Sequence, residues 1–276
     1  MSVSWSIGVM PLWLATLLVI VLPSLLALLG PIIVRRRFPL ERLTLNNEVA
    51  GFKYATLAVI YGVLLAFVVV IVWESYKDAQ EFSHREAAAL LTIYRLAGGL
   101  PESVRHVLRQ EVLAYTQSVA DVEWPALAMG KAAPEGAGAY DRMFQAIVAV
   151  EPATDGQKVI YQSMLDSIVR VNEHRRERII SAEASLPTAL WYTLVFGGIV
   201  TIGFTYFFGS PNLWAQSLQV AVLAAMMSMT LLLIAKMDYP FAGDVRVQPD
   251  AFIAAAEKMR DLGGAPAPGA GPPRTR

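Results

Sequence analysis

Residues 11–34, 54–73, 189–208 and 214–235 hold 24, 20, 20 and 22 residues without a single Asp, Glu, Lys, Arg or His. An α-helix rises about 1.5 Å per residue, so about 20 residues cross a hydrocarbon core of about 30 Å. Each stretch is long enough to do so. Inside lipid a helix satisfies its own backbone polar groups, so an uncharged helix needs no water there. The pattern predicts an all-α integral membrane protein whose four transmembrane helices form two hairpins around a helical extramembrane domain. The segments read as a first transmembrane hairpin (1–73), an extramembrane domain (74–187), a second hairpin (188–236), a C-terminal segment with a short helix (237–262) and a disordered tail (263–276).

Composition narrows the function classes. Apolar residues make up 55% of the chain, and 23 basic residues balance 23 acidic ones. That balance offers no basic field for nucleic acid. The chain has no cysteine, which excludes disulfides, thiolate metal sites and cysteine nucleophiles. No basic residue precedes the first apolar stretch, and Arg35, Arg36 and Arg37 follow it. That order favours an uncleaved anchor over a signal peptide.

Pro23 and the Gly30-Pro31 pair are expected to kink or break the first span. The second span is expected to continue as one helix through Leu96, because Ala79, Phe82, Ala87, Leu90, Leu91 and Tyr94 fall near a 3.6-residue period. Gly98-Gly-Leu-Pro101 should end it. A polar helix is predicted from 102 to about 121 or 124, a loop over 130–138 and a short helix over 140–150. Thr154-Asp-Gly-Gln157 has the form of a capping box opening a long helix to about Leu186, with Tyr161, Leu165, Ile168, Val171 and Ile179 as its apolar stripe. Residues 209–213 make a tight link between the last two spans. A short helix is predicted over 249–262, and the Gly/Ala/Pro-rich tail is too poor in large apolar residues to fold.

Ionisable groups inside spans mark ion and proton pathways. None is present, which argues against proton- or cation-coupled transport. Small residues four apart, such as Gly197 with Thr201 and Ala224 with Ser228, permit close helix approach. His84 and His174 lie in charged helical stretches and read as solvated, and no histidine has a metal-ligand spacing. Phosphate-binding loops, dinucleotide glycine patterns and nucleophile elbows are all absent from the sequence, so no catalytic residues and no cofactor are expected. Arg170, Arg175, Arg176 and Arg178 cluster before the third span. They read either as a solvated helix face or as an electropositive vestibule that contacts anions or lipid headgroups. Trp124 reads as a core anchor. Basic residues flank the spans on both sides, Arg35, Arg36, Arg37 and Arg42 against Lys77, Arg85 and Lys236 among others, so charge alone does not orient the chain.

The motifs Asn46-Asn-Glu-Val-Ala-Gly-Phe52, Tyr61-Gly-Val-Leu-Leu-Ala-Phe67 and Val72-Trp-Glu-Ser-Tyr76 resemble a bacterial membrane family described as bestrophin-like. Glu86-Ala-Ala-Ala, Tyr94-Arg-Leu, Gly99-Leu-Pro101, Glu123-Trp-Pro125, Leu190-Trp191 and Tyr239-Pro-Phe-Ala-Gly243 extend the resemblance from about residue 46 to 252. The similarity to bestrophins themselves rests on Leu65-Ala-Phe67 followed by Trp73-Glu74. That resemblance implies a homo-oligomeric anion channel in the bacterial inner membrane, with a cytosolic helical middle and chloride or another small anion as the permeating partner. It also implies a hydrophobic neck on the second span. Registering on Trp73 places Ala55, Val59 and Val63 there. Ala55 and Val63 are smaller than the residues usual in bestrophin necks. The acidic run that binds calcium in some bestrophins is absent, so calcium gating is not implied. The rival reading is a non-conducting membrane adaptor or sensor whose helical middle binds a partner.

Overall fold

The computed structural model describes residues 3–45, 47–130 and 134–264. Asn46, residues 131–133 of the predicted loop and residues 265–276 of the predicted disordered tail lie outside the described residues. In chain order the helices are α1 (Val3–Val9), α2 (Leu12–Thr16), α3 (Leu22–Arg37), α4 (Leu40–Leu45), α5 (Asn47–Leu96), α6 (Glu102–Ser118), α7 (Trp124–Ala128), α8 (Pro134–Val148), α9 (Asp155–Glu183), α10 (Thr188–Thr205), α11 (Leu213–Met237) and α12 (Asp250–Gly264). There is no strand among the described residues. Four helices are long and apolar enough to cross a membrane: Leu12–Arg37, Asn47–Gly99, Thr188–Thr205 and Leu213–Met237. They coincide with the four uncharged stretches.

The chain forms two compact units, one of Met1–Lys77 with Glu183–Arg246 and one of Asp78–Ala182 with Val247–Arg276. In the first unit, of the kink or break expected at Pro23, the structure shows no break. The helix runs from α2 into α3 through a π turn at Leu17–Val21, just ahead of the proline. Pro23 has no N–H to donate, and the wider turn absorbs the mismatch. Ser24 Oγ donates to the Ile20 carbonyl at 2.6 Å, within the same turn. Pro31 is buried inside α3, which continues to Arg37. Gly30 makes the close approach of Tyr206 possible, since a Cβ there would overlap the tyrosine ring.

The core of this unit gathers Tyr61, Leu65, Val68 and Val72 of α5 with Leu186, Leu194 of α10 and Ile234 and Met237 of α11. A second cluster joins Ala27 of α3 to Val220 and Ala224 of α11. Tyr61 seats its ring against Gly197 and Gly198, where any side chain would collide with it. Its hydroxyl donates to the Leu194 carbonyl at 2.8 Å. Polar clamps fix the loops. The Asn47 amide exchanges two hydrogen bonds with the backbone of Gly209 (2.7 and 2.9 Å). The buried Asp238 carboxylate accepts from Leu186 N (2.7 Å) and Trp191 Nε1 (3.1 Å). Lys236 Nζ, also buried, donates to the carbonyls of Gly8 and Met10 at the end of α1 and lies 3.3 Å from Asp244. A lysine ammonium needs several acceptors when dehydrated, and exposed carbonyls at a helix C-terminus supply them.

In the second unit α5 continues without interruption to Leu96 and ends in a 3-10 turn over Ala97–Gly99. The predicted polar helix runs as α6, a π turn at Val119–Glu123, and α7. The predicted loop 130–138 is corrected, because α8 already begins at Pro134. Proline is favourable in a first helical turn, where its missing N–H has no intrahelical partner to lose. At the start of α9, Gln157 N donates to Thr154 Oγ1 (3.2 Å), while the Gln157 side chain accepts from Ala153 N (2.8 Å). The return bond therefore reaches one residue further back than the capping box predicts. The apolar face of α12 buries Phe252, Ala255, Ala256 and Met259.

Candidate functional site

Ala55, Val59 and Val63 all lie on the exposed side of α5. Val59 is 65% and Val63 50% exposed, whereas Tyr61, Leu65, Val68 and Val72 are buried against the first unit's core. At about 100° per residue these two sets fall on opposite sides of the helix. The exposed side carries no charge over its membrane-spanning length and is mostly apolar, with Phe52, Phe67, Val70 and Trp73 also exposed, and the exposed Thr56 hydroxyl donates to the Phe52 carbonyl at 3.3 Å. No described residue of the first unit covers this side. An apolar face of this extent is stable against lipid or against other apolar surface, but not against bulk water.

The four arginines singled out in sequence do not form one surface. Arg170 and Arg176 are exposed, Arg175 is half-buried, and Arg178 is fully buried. Arg178 lies at the centre of an ion network in the second unit. Its Nε donates to Glu86 Oε2 (2.8 Å) and its Nη2 to Glu123 Oε2 (2.6 Å). Arg175 Nη2 donates to Glu123 Oε1 (2.9 Å), and Tyr115 Oη donates to Glu86 Oε1 (2.7 Å). The Arg178 guanidinium stands over the rings of Trp124 and Phe252 at 5.6 and 5.5 Å. Trp124 is buried, with Nε1 donating to the Val247 carbonyl at 3.0 Å.

The network joins α5, α6, the turn at Val119–Glu123, α9 and α12, and its two arginines balance its two glutamates. Burial alone would disfavour a charged Arg178; Glu86, Tyr115 and Glu123 outweigh that, and its pKa is raised. Burial, followed by Glu86, holds the Tyr115 phenol well above its ordinary range. Both carboxylates are committed to guanidinium groups, which leaves neither as a free base. Buried charge of this kind survives only when it is paired and hydrogen-bonded. The network is therefore a structural centre of the unit.

Sequence reasoning assigned these arginines to a surface, yet a signal was present. Met164, Ile168 and Val171 are buried on α9, and the same 3.6-residue spacing carried forward lands on Arg175 and Arg178. On α5, Glu86 lies seven residues after the buried Ala79, and Glu123 lies four after the buried Val119. Each charge occupies the next place on an apolar stripe. Of the histidines, His84 is exposed and His174 Nδ1 lies 2.9 Å from Glu177 Oε2. Among the described residues no group of His, Asp or Glu is arranged to hold a metal ion.

The fold is similar to that of solved bacterial membrane proteins. A crystal structure of a point mutant of a bacterial bestrophin homologue from Klebsiella pneumoniae superposes with a TM-score of 0.68 at 13% identity, covering 89% of this chain and 99% of that one. Another mutant of a homologue from the same organism gives 0.69 at 12% identity, with the same coverage. A crystal structure described as that of a membrane protein gives 0.70 at 12% identity, covering 89% and 98%. At such identities the likeness establishes a shared fold. No curated protein matches the sequence. A bestrophin-like domain matches residues 21–252, a span that takes in all but the start of the first candidate membrane helix, the whole ion network and the buried Phe252. The chain thus belongs to the bestrophin-like family.

Proposed function

We propose that the chain is the subunit of a homo-oligomeric channel for small anions such as chloride. In this reading the four spans pair as two hairpins in the bacterial inner membrane, and the helical middle lies on the cytosolic side. The observation that carries it is the two-sidedness of α5: one face is locked to its own unit, and the opposite face, with Ala55, Val59 and Val63, is apolar and uncovered. Copies arranged around an axis would bring those residues together as stacked apolar rings, which gate by dewetting. The similarity to bestrophin homologues adds support, and so does the absence of ionisable groups from the spans, which leaves no relay for coupled transport. Arg170 and Arg176 are the two arginines free to meet anions or headgroups in a vestibule.

Planar-bilayer recording of the purified protein is the direct test. An anion-selective current is expected, and Val59→Ser and Val63→Ser should raise it by easing hydration of the neck. Absence of current under every chloride gradient and voltage rejects the channel. Mass photometry in nanodiscs tests the assembly: a closed ring is required, and a monomer or dimer favours a membrane adaptor instead.

A further inference from the structure

Followed outward from its apolar middle, the line through Ala55, Val59 and Val63 on α5 first meets charge at Glu48 on one side and at Lys77 on the other. Taking about 100° per residue, Glu48 lies about 20° from Val59 around the helix, and Lys77 is in line with it after five full turns. Between them the same face presents Phe52, Ala55, Val59, Val63, Ala66 and Val70, every one exposed, as are Glu48 and Lys77. The helical rise separates Glu48 from Lys77 by about 44 Å, and a bilayer including its headgroup layers is about 40–45 Å thick. The two charges therefore sit at the two water boundaries of the span. Trp73, one turn before Lys77, stacks on Tyr76 with centroids 6.3 Å apart. Such an aromatic pair favours the membrane–water boundary. Glu74 stands about 60° off the stripe and Lys53 about 120°, so neither shares its line, and Glu81, one turn beyond Lys77 on that line, is paired with Arg85.

We propose that Lys77 and Glu48 form oppositely charged rings at the two mouths of the path, so that anions enter readily from the Lys77 mouth and are opposed at the Glu48 mouth. This rests on the channel reading above and adds a polarity to it. Each subunit contributes one charge per ring, and the low-dielectric walls focus the field at the opening. In symmetric salt the current–voltage curve is therefore asymmetric, larger when the voltage drives anions from the Lys77 mouth towards the Glu48 mouth.

Two neutral variants recorded in bilayers test the assignment. Lys77→Gln should lower the large limb, and Glu48→Gln should raise the small one. Lys77→Glu combined with Glu48→Lys should reverse the asymmetry. All effects should shrink at 1 M salt, where the Debye length is about 3 Å against about 10 Å at 0.1 M. The chain has no native cysteine, so a cationic thiol reagent acting on Lys77→Cys from one chamber should restore the large limb. Wild-type current with limbs unchanged in both neutral variants, and no response to the reagent, overturns the rings while leaving the channel standing. A silent wild type removes the channel reading and the rings together.

Discussion

The two stretches of α5 follow opposite rules within one unbroken helix. From Val59 to Val72 the buried face is apolar, and so is much of the exposed one, with Val59, Val63, Phe67 and Val70 all uncovered. From Ala79 onward the buried face includes Ser83 and Glu86 with Ala87, Leu90 and Ile93, while Glu81, His84 and Arg85 are exposed. The first half hides nothing charged and exposes grease; the second hides a carboxylate and exposes charges. A helix in lipid has no reason to turn its apolar groups inward, since lipid tails are equally apolar, so packing there depends on fit and hydrogen bonds. A helix in water gains from burying every apolar group, and tolerates a buried carboxylate only when a partner meets it. In the proposed function, where the first stretch meets lipid and the second meets water, the contrast between Tyr61 on glycine and Glu86 on arginine is a contrast between two solvents.

The sharpest way to break that comparison is to leave a charge unpaired. Arg178→Met strands Glu86 and part of Glu123, and should destabilise the second unit by about 3–5 kcal/mol, read by denaturant unfolding in detergent. A matched replacement, Glu86→Leu with Tyr115→Phe and Arg178→Met, keeps the Glu123–Arg175 pair and should recover most of the loss. If the triple variant is as unstable as the single one, pairing is not what the network contributes. The same centre predicts an alkaline limb. Tyr115 is held above its ordinary pKa by burial, so the unfolded chain releases that proton first, near the ordinary phenol value of about 10. Above that pH the folded state binds more protons than the unfolded one, and stability falls as pH rises. Tyr115→Phe should flatten this limb without altering the slope near neutrality.

A smaller effect tests the lipid-facing half. Gly197→Val places methyl groups into the Tyr61 ring and should cost about 1–3 kcal/mol through overpacking. Tyr61→Phe, which deletes only the bond to Leu194 O, should cost about 0.6 kcal/mol, a typical value for hydrogen bonds between membrane helices. The reverse order of the two would mean that polar pairing holds this half together as well. Thermal unfolding with a tryptophan readout, performed in the same detergent, separates them.

How far the sequence could be read follows from the same contrast. The four spans are legible because lipid excludes charge over a fixed length, and residues 11–34 and 54–73 state that length outright. The first span's continuity is less legible, because a π turn at Leu17–Val21 is a cooperative backbone adjustment that no single residue announces. The ion network is hard to read from sequence because charge normally marks a water-facing side. Arg175 and Arg178 stand in a run with Glu173 and Glu177, and only the periodicity of Met164, Ile168 and Val171 carried through that run places them inside. Trp124 was readable as a core residue because few tryptophans stay in water, but its acceptor, Val247, lies 123 residues away, and sequence distance of that kind leaves no local trace.

The smallest expected effect divides the arginine cluster itself. Arg170 and Arg176 are exposed and have no ion pair among the described residues, so Arg170→Gln with Arg176→Gln should change stability by no more than about 0.5 kcal/mol. Arg175→Gln removes a bond to the buried Glu123 and should cost several times more. In bilayer recordings the exposed pair should act the other way round. If these two line a vestibule, their neutralisation lowers anion current at low salt and not at high salt, because exposed charges act through a field that salt screens. Equal currents at both salt concentrations would confine Arg170 and Arg176 to the solvated helix face. The cationic function of the 170–178 stretch would then be wholly internal, spent on Glu86 and Glu123.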